Sequence, residues 1–537
     1  MFLALLQIFI IVLGVILWRL SVRWKAPRDL PPGPKPLPLV GNIFDLPPPG
    51  VPEYQHWIKF KDTYGPLSSV TVLGTNMILV HSHDVLQDLM VKRSTKTSSR
   101  PKQHFAGELC GFDVLTPSLP YNATHRLHRK LMHQQMGTRL ICERFWHVQD
   151  VESRRFLLRV LDDPSNIISH IKTEASAIIL RITYGYSIEP HKVDPLVTLI
   201  EHMMGNFSDA LVPLTWSVDL FPFLKHLPTG FPGASFKKIA QEWKERVRMA
   251  ADIPYSFVLR QMANGNPTSS YVSSLVTEYS KNSENDWKPT ESEVEIIKNS
   301  AAIIYGGGAD TTVSTLSSLV LAMLLFPDVQ QKAQEELDRV VGSDRLPEFE
   351  DRENLPYVNA LVKETLRWLP VVPVGTTHVT EGEMFHSGYR IPKGSFLLPS
   401  IWWFLHDPAV YPKPEAFDPE RFLEPRNEPD PANHAFGYGR RICPGRYLAD
   451  DNLFLTISRL LATFEISKAL DEKGCEIDVE VEVTAGLISH PKTFPYGIKP
   501  RGLRHVEMIR STESKYPWEE PDVRHLKQDH LQYLNVN

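Results

Sequence analysis

The stretch FGYGRRICPG, from Phe436 to Gly445, places a single cysteine among residues that suit metal chemistry. No second cysteine or histidine stands at metal-ligand spacing from Cys443, and a lone buried cysteine is more often a small core residue than a ligand. A thiolate that binds a metal must stay deprotonated, which backbone amides directed at the sulfur favour. Because glycines permit that geometry, the flanking residues favour a metal ligand at this position.

Other residues of the same stretch indicate a flat ligand beside the sulfur. Gly437 and Gly439 permit a tight turn before Cys443, and Gly445 lets the chain run close under a planar macrocycle. Arg441 can reach a carboxylate on the same ligand. These residues predict a site for a metal held in a macrocycle that carries carboxylates.

A long apolar stretch from Glu295 to Phe326, stopped by Pro327, predicts a helix that crosses the core. It contains GGADTT, Gly307 to Thr312, preceded by one more glycine, and each glycine costs a helix up to about 1 kcal/mol relative to alanine. Small residues leave room for a ligand, while Asp310 and Thr311 can organise waters that carry protons. A packing notch is the alternative. A phosphate-binding loop is excluded because neither GxGxxG nor GxxxxGK occurs.

A possible ion pair lies in KETLRW, where Glu364 and Arg367 are neighbours on one helical face. Exposed pairs of this kind are common and contribute under about 1 kcal/mol. By itself the spacing therefore predicts only a surface pair.

The cysteine stretch matches a family signature position for position. The signature is FxxGxRxCxG, and its fixed residues are Phe436, Gly439, Arg441, Cys443 and Gly445. The chain therefore resembles the cytochrome P450 monooxygenases, and GGADTT matches their motif [AG]Gx[DE]T[TS]. The resemblance covers nearly the whole chain. It implies a mainly α fold with a smaller β-sheet portion, haem b (heme b) as cofactor, and the Cys443 thiolate as axial ligand of the iron.

The resemblance also gives roles to residues outside the signature. Arg421, in DPERF, matches the third member of the family's Glu-Arg-Arg cluster with Glu364 and Arg367, which implies a structural brace. On the helix that contacts the haem propionates the family has WxxxR, whereas this chain has His125 and Arg129. An imidazole can still donate a hydrogen bond to a carboxylate, so haem binding should survive this departure.

Further expected site residues follow from the same resemblance. His378, in GTTHVT, is another expected propionate partner, and a free surface histidine is the alternative for both it and His125. Ile303 and Gly307 share the helix stripe of Thr311, which should face haem and substrate. In this family the other pocket walls come from segments that here contribute Phe112, Phe207, Val374 and Leu487.

The expected partners are O2, an apolar substrate and a membrane-bound NADPH-cytochrome reductase. Four basic residues flank the expected thiolate side of the haem: Arg126, Lys130, Arg440 and Arg446. Such a surface would suit an acidic flavoprotein, and an ordinary solvated face is the alternative.

The composition is that of a large globular protein, since 537 residues with 42% hydrophobic content can bury a sizeable core. A formal net charge of -5, mixed in sign along the chain, gives no reason to expect nucleic acid. Four scattered cysteines without a CxxC pair indicate neither a disulfide framework nor a zinc site. They favour a reducing compartment.

The N-terminal residues MFLALLQIFIIVLGVILW contain one polar residue and precede a basic cluster from Arg19 to Arg28. This pattern predicts a retained membrane anchor; a cleaved signal peptide is the less favoured alternative, because no basic residue precedes the apolar run and no A-x-A site follows. The positive flank should stay cytoplasmic. We therefore expect a single-pass protein of the endoplasmic reticulum membrane with a cytosolic catalytic domain.

The expected domain organisation has four parts. They are a transmembrane anchor at 1–20, a basic flank and proline-rich hinge at 21–50, a haem-binding monooxygenase domain at 51–505, and a polar C-terminal tail at 506–537. The prolines of LPPGPKPLPLVGN predict a stiff spacer, with a proline-rich ligand for a partner domain as the alternative. The tail is expected to lie loosely on the surface.

Local patterns predict the main elements of the body. YGPLSSVTVLGTNMILVHS, with Gly74 at its centre, predicts a β-hairpin. The chain from about 125 to 370 is predicted to be largely helical, and VQQKAQEELDRVVG ends on Gly342, as helices often do. GYRIPKGSFLLPSIWWF and GLISHPKTFPYGIKP predict short strands.

The function expected from the resemblance is insertion of one oxygen atom from O2 into a C–H bond or double bond of an apolar small molecule. The overall pattern looks like the fungal enzymes of secondary metabolism, and terpenoid, indole and polyketide substrates all fit. A haem-thiolate isomerase or dehydratase that needs no O2 is one alternative, and a non-enzymatic haem sensor is the other.

Overall fold

The computed structural model describes residues 29–265, 267–282 and 289–526, and the expected membrane anchor lies outside them. The chain divides into two compact units. The smaller contains the chain up to Pro101, Val374–Phe404 and Tyr438–Arg441, and the larger contains Lys102–Pro373, Leu405–Gly437 and the chain from Ile442. Helices far outnumber strands, which confirms the mainly α class with a smaller β-sheet portion.

The smaller unit contains most of the strands. Helix α1 (Glu53–Tyr64) precedes them. The strands are β1 (Leu67–Val72), β2 (Thr75–Val80), β3 (His378–Val379), β4 (Met384–His386), β5 (Tyr389–Ile391) and β6 (Phe396–Pro399). The four-stranded sheet has the order β1-β2-β6-β3, in which only the β2–β6 pair is parallel, and β4 and β5 form a separate hairpin.

The predicted hairpin around Gly74 is confirmed. Strands β1 and β2 are antiparallel with Val72 opposite Thr75, so Leu73 and Gly74 alone make the turn. Both have positive φ, 47° and 88°, which matches the twist of two paired strands.

The proline-rich segment is part of the smaller unit. The hydroxyl of Ser69 donates to Pro31 O at 2.6 Å, and the Asn42 side-chain amide donates to Pro34 O at 3.1 Å. A Cβ added to Gly33 would stand 1.8 Å from Ser69 O, so only glycine allows this approach. The expected stiff spacer is therefore packed against strand β1, where Ser69 donates its hydroxyl to Pro31 O and its backbone N–H to Pro32 O.

The larger unit is built from long helices. They are α2 (Ala123–Met136), α3 (Trp146–Asp162), α4 (Ile167–Tyr184), α5 (Pro195–Ala210), α6 (Phe236–Ala263), α7 (Tyr271–Asn282), α8 (Glu291–Leu325), α9 (Pro327–Val340), α10 (Pro356–Trp368), α11 (Arg446–Thr463) and α12 (Leu503–Lys515). Short helices of the chain are His83–Leu86, Ser94–Thr97, Arg139–Cys142, Ser217–Leu220, Ile401–His406 and Ala432–Ala435. Strands β7 (Phe464–Ser467) and β8 (Gly497–Pro500) pair antiparallel.

Helix α8 is the predicted core-crossing helix, and its glycines do not interrupt it. Thr290 and Glu293 cap its start reciprocally, and Pro327, which begins α9, follows its end. Within the described residues it is the one helix long and apolar enough to cross a membrane, but 78% of its most apolar window is buried inside the protein. It therefore serves as a core helix.

The two halves of α8 belong to two hydrophobic clusters. Ile303 and its neighbours pack with residues of α4, α5 and α6. Leu319 and its neighbours pack with residues of α3, α9, α10 and α11. The helix thereby fixes the position of Asp310 and Thr311 from both sides.

The strand predictions for the C-terminal third are partly wrong. SIWWF begins the helix Ile401–His406 instead of extending β6. In GLISHPKTFPYGIKP only Gly497–Pro500 forms a strand, and Pro491 makes an isolated bridge with Val483. Prolines within these runs remove the amide donors that a longer ladder needs.

Residues 504–526 differ from the expected loose tail. Helix α12 buries Ile509 and Thr512, and Ile509 joins the hydrophobic cluster that contains Leu319. The few apolar residues of α12 recur on one face, which is enough to dock a largely polar helix.

Candidate active site

The signature loop places Cys443 at the start of helix α11. The amide N–H of Cys443 donates to Phe436 O at 2.8 Å and closes the loop, where Gly437 has φ 74°. Gly445 precedes the helix, whose first residue is Arg446. The backbone N–H groups of Gly445 and Arg446 donate to the Cys443 sulfur, so the positive end of the helix faces it.

The surroundings of Cys443 favour the protonated thiol. Burial raises the pKa of the Cys443 thiol above its usual range, and the Gly445 amide and the Arg129 guanidinium partly offset that effect. The sulfur therefore keeps its proton at neutral pH until a metal displaces it. The same amides would then stabilise the bound thiolate.

Helix α2 supplies Arg129 and His125, one turn apart. Burial lowers the pKa of Arg129, and the nearby charges are Cys443 and Arg446. Within the part of the chain that the structure describes, Arg129 has no hydrogen-bonded carboxylate or carbonyl. His125 is buried, not exposed on the surface, and its ring lies edge-on to Tyr121 at 5.7 Å.

In the smaller unit, Gly439 and Arg441 complete the signature. Gly439 has φ 53°, and an added Cβ would stand 2.6 Å from Met90 O, so only glycine fits. The Arg441 Nε donates to Ser98 O at 2.7 Å, which fixes the base of that guanidinium.

His378 is a buried residue of the smaller unit. Its Nδ1 lies 2.7 Å from Thr97 O, and because a carbonyl only accepts, Nδ1 carries the proton. Burial lowers the pKa of His378 well below its usual range, and Arg100 and Arg441 add to that effect. The imidazole is therefore neutral. A carboxylate beside the two arginines would raise that pKa, which is the condition for Nε2 to donate to it.

Arg100 is a site candidate that the sequence patterns missed. Its guanidinium donates to Thr376 O at 2.9 Å and to Thr377 O at 2.8 Å. Burial lowers the pKa of Arg100 well below its usual range, and Arg441 lowers it further. Two guanidiniums held close together suit an anion. The only signal in the sequence is an arginine directly before Pro101, which is too common to single out.

The three consecutive glycines of α8 have different surroundings. A Cβ added to Gly306 would lie 2.6 Å from the sulfur of Met204, and one added to Gly308 would lie 2.8 Å from Ile179. A Cβ added to Gly307 meets nothing within 4 Å. The packing-notch interpretation therefore fits Gly306 and Gly308, while Gly307 alone borders open space.

Asp310 and Thr311 follow one turn later. The Thr311 hydroxyl donates to Gly307 O at 2.6 Å, so this partly exposed group sits beside the open space. Asp310 pairs with His490, with 3.3 Å between Oδ1 and Nε2. His490 stands in GLISHPKTF, but its spacing to Asp310 in sequence gives no sign of the contact.

Glu364, Arg367 and Arg421 are brought together, fully buried. Arg367 donates to both carboxylate oxygens of Glu364, at 2.7 and 2.9 Å, and Arg421 donates to Oε1 at 3.1 Å. Their remaining N–H groups bond backbone carbonyls such as Leu405 O and Ala416 O. The surface-pair interpretation is therefore wrong. Removing one partner of such a cluster costs roughly 3–5 kcal/mol, because a buried charge is left uncompensated.

Most expected pocket residues meet in the larger unit. Phe112 and Phe207 are in edge-on contact at 5.4 Å, and both join Ile303 in one hydrophobic cluster with Leu487 packed against it. The backbone N–H of Leu487 donates to Ser208 O at 3.2 Å. Val374 belongs to the smaller unit.

The residues present fit an iron porphyrin. In the larger unit, a sulfur receives two amide donors, Gly445 and Gly307 border open space, and Arg129 is a cation suited to a carboxylate. In the smaller unit, Arg100 and Arg441 form a second cationic cluster. The residues of the larger unit thus accommodate soft metal ligation, a flat face and a carboxylate, which are features of haem. The cationic cluster of the smaller unit, taken by itself, suits carboxylates.

Known proteins resemble this chain along almost its whole length. The sequence model of the family described as Cytochrome P450 matches residues 31–496. Cytochrome P450 monooxygenase CLM2 of Gibberella zeae is 51% identical over 98% of this chain and 99% of its own length. Multifunctional cytochrome P450 monooxygenase af510 of Aspergillus fumigatus is 47% identical, over 96% of each chain. O-methylsterigmatocystin oxidoreductase of Aspergillus flavus is 39% identical, over 94% and 95%. The similarity extends far beyond the cysteine stretch.

Proposed function

This chain belongs to the cytochrome P450 family and is a haem-thiolate monooxygenase, and we propose that it oxidises an apolar small molecule of fungal secondary metabolism. The reaction is insertion of one atom of O2, as hydroxylation or epoxidation. The names of its fungal relatives favour this activity over the isomerase, dehydratase and haem-sensor alternatives. One relative is named for O-methylsterigmatocystin, and the phenyl and aliphatic side chains around Phe112 and Phe207 suit a substrate of low polarity.

The single observation that carries the site assignment is the sulfur of Cys443 with two backbone donors at a helix start. We assign Cys443 as the residue whose thiolate would hold the haem iron. When haem is bound, it supplies the activation of O2, and a thiolate ligand favours cleavage of the O–O bond. Phe436, Gly439 and Gly445 shape the loop that holds the sulfur.

The cationic groups would bind the haem propionates. Arg129 and His125 are the candidates in the larger unit, and Arg441, Arg100 and His378 are those in the smaller unit. Arg129 supports this role because its half-buried guanidinium has no hydrogen-bonded anion among the described residues, which is costly for a charged group.

We assign proton delivery to Asp310 and Thr311. The Thr311 hydroxyl lies beside the open space at Gly307 and can pass a proton from water to the reacting oxygen. The buried cluster of Glu364, Arg367 and Arg421 is assigned as a structural brace.

The substrate pocket is proposed to use six residues that are mostly apolar. They are Phe112, Phe207, Ile303, Gly307, Val374 and Leu487. Gly307 contributes by lacking a side chain, since a side chain there would occupy the space that the substrate needs.

Members of this family receive electrons from a redox partner. We propose NADPH-cytochrome reductase, docked on a basic face that includes the exposed residues Arg126 and Lys130 of α2. Arg446 is a weaker candidate, because its guanidinium donates to Cys443 O at 3.2 Å. The expected location is the endoplasmic reticulum membrane, with the apolar N-terminus as a single span.

The carbon monoxide spectrum of the reduced protein tests the assignment of Cys443. The wild type should show the strongly red-shifted band of sulfur-ligated haem, and C443S should lose that band. Cys475 is exposed, so C475S is the matched control and should keep it. A C443S protein that retains the band would contradict the assignment, as would a wild-type spectrum of imidazole-ligated haem.

A further inference from the structure

Asp310 and His490 form a contact that the assigned roles do not explain. The Nε2 of His490 lies 3.3 Å from the Oδ1 of Asp310, and their side chains are 28% and 18% exposed. Asp310 is the last charged residue of α8, and the charged residue before it on this helix is Lys298. His490 is its one ion-pair partner among the described residues.

The loop that carries His490 is fixed against α8. Thr484 N donates to His490 O at 2.8 Å, and His490 N donates to the Thr484 hydroxyl at 3.0 Å. The Ser314 hydroxyl donates to Ser489 O at 2.6 Å. Ser314 stands one turn after Asp310 on the same helix face. The imidazole is therefore held opposite the carboxylate by backbone bonds that do not depend on the ion pair.

Apart from those of α2, the other charged groups named here near α8 have partners. On the His490 hairpin, Glu482 and Lys492 pair with each other at 3.6 Å. The helices packed on α8 carry these paired groups: Lys172 with Glu201, Arg181 with Glu519, Glu174 with Thr456, Lys363 with Asp430, Glu364 with Arg367, and Arg459 with Asp150. On α2 the charged groups are Arg126, Arg129 and Lys130, all cationic.

We propose that His490 is the positioning residue for Asp310 and forms the solvent end of the proton route that ends at Thr311. The imidazole holds the carboxylate in place through Nε2. A proton passed from the imidazolium Nε2–H to Oδ1 leaves a neutral imidazole and a carboxylic acid. That acid gives the proton on through water to Thr311, and solvent returns a proton to the exposed ring. This inference rests on the proton-delivery role proposed for Asp310 and Thr311.

Product yield per NADPH in the reconstituted enzyme is the first test. We expect H490A to lower that yield roughly tenfold, with the balance of oxygen released as peroxide, while the substrate KM changes little. H490Q keeps a hydrogen-bond donor but cannot pass on a proton, so it should fold as the wild type does and still show the low yield. K492Q removes a charge from the same hairpin and should behave as wild type. An unchanged yield in H490A overturns the proposal.

A second measurement does not need turnover. Mass spectrometry follows hydrogen exchange at the imidazole C2 atom, which proceeds through the protonated ring. D310N should change the exchange rate at His490 at least about twofold, since it replaces the carboxylate that lies 3.3 Å from Nε2 with a neutral amide, and it should leave exposed His191 unchanged. Equal exchange at His490 would show that the pair does not form in solution. If the haem assignment itself failed, the carbon monoxide band would be missing while this exchange result could still stand.

Discussion

At the scale of single residues, Thr311 and Thr312 offer a matched comparison. Each hydroxyl donates to the backbone carbonyl four residues earlier, at 2.6 and 2.8 Å. Valine at either position therefore removes one side-chain hydrogen bond of the same kind. Thr312 is buried, whereas Thr311 is partly exposed beside Gly307. We expect T311V to lower product formation on the order of 10- to 100-fold and to raise peroxide release, because a proton donor is lost.

T312V is the control for that experiment, and product per NADPH and peroxide are the quantities to measure in both variants. It should stay within roughly twofold of wild type, since the buried hydroxyl has no access to the reacting atoms. Equal losses in the two variants would mean that the helix bond, and not proton delivery, accounts for the effect.

At the scale of elements, the glycines of α8 separate packing from function. G308A would force a methyl group to within 2.8 Å of Ile179, which should lower the free energy of unfolding by about 1–3 kcal/mol. G307A meets open space and gains helix propensity, so the free energy of unfolding should rise by up to about 1 kcal/mol. Denaturant unfolding measures both changes.

In substrate binding the order of the two variants should be reversed: G307A should be impaired and G308A should not. G307A narrows the space next to Thr311 and should weaken the substrate-induced shift of the haem absorption, while G308A should leave that shift close to wild type. Loss of substrate binding in G308A alone would contradict the placement of the open space at Gly307.

The elements show which parts of the fold local patterns can predict. The hairpin at Gly74 and the end of α9 before Gly342 were predictable, because backbone conformation with positive φ selects glycine directly. The docked proline-rich segment and helix α12 were not, because their positions depend on partners such as Ser69 and the cluster around Leu319. Those partners lie far away in sequence.

The candidate site divides in a similar way. Cys443 and Arg441 are recognisable because a fixed loop geometry demands a fixed spacing. The sequence also identifies Glu364, but only the structure shows it to be fully buried. Arg100 and His490 could not be predicted, since each gains its role from a tertiary contact that leaves no local pattern.

At the scale of the whole molecule, the C-terminal segment after α12 ties several elements of the larger unit together. Trp518 packs over Arg155 and Arg159, at 5.3 and 5.0 Å from its ring. The Ser187 N–H donates to Asp522 at 2.8 Å, and Arg260 donates to His525 O at 2.9 Å. These contacts join α3, the connection between α4 and α5, and the end of α6. Trp518, Asp522 and His525 lie beyond the residues matched to the family at 31–496.

The segment should therefore contribute to stability, although the family signature does not include it. We expect W518A to lower the free energy of unfolding by roughly 1–3 kcal/mol, since a half-buried ring and two cation–π contacts are lost. E520A is the matched control, because Glu520 is exposed and its one ion-pair partner in the described part of the chain is Arg524 of the same segment. Thermal loss of the carbon monoxide band, followed in the full-length holoenzyme, measures both variants. A midpoint that falls in W518A but not in E520A supports anchoring by the indole, whereas equal midpoints would show that the indole contributes nothing to the stability of the larger unit.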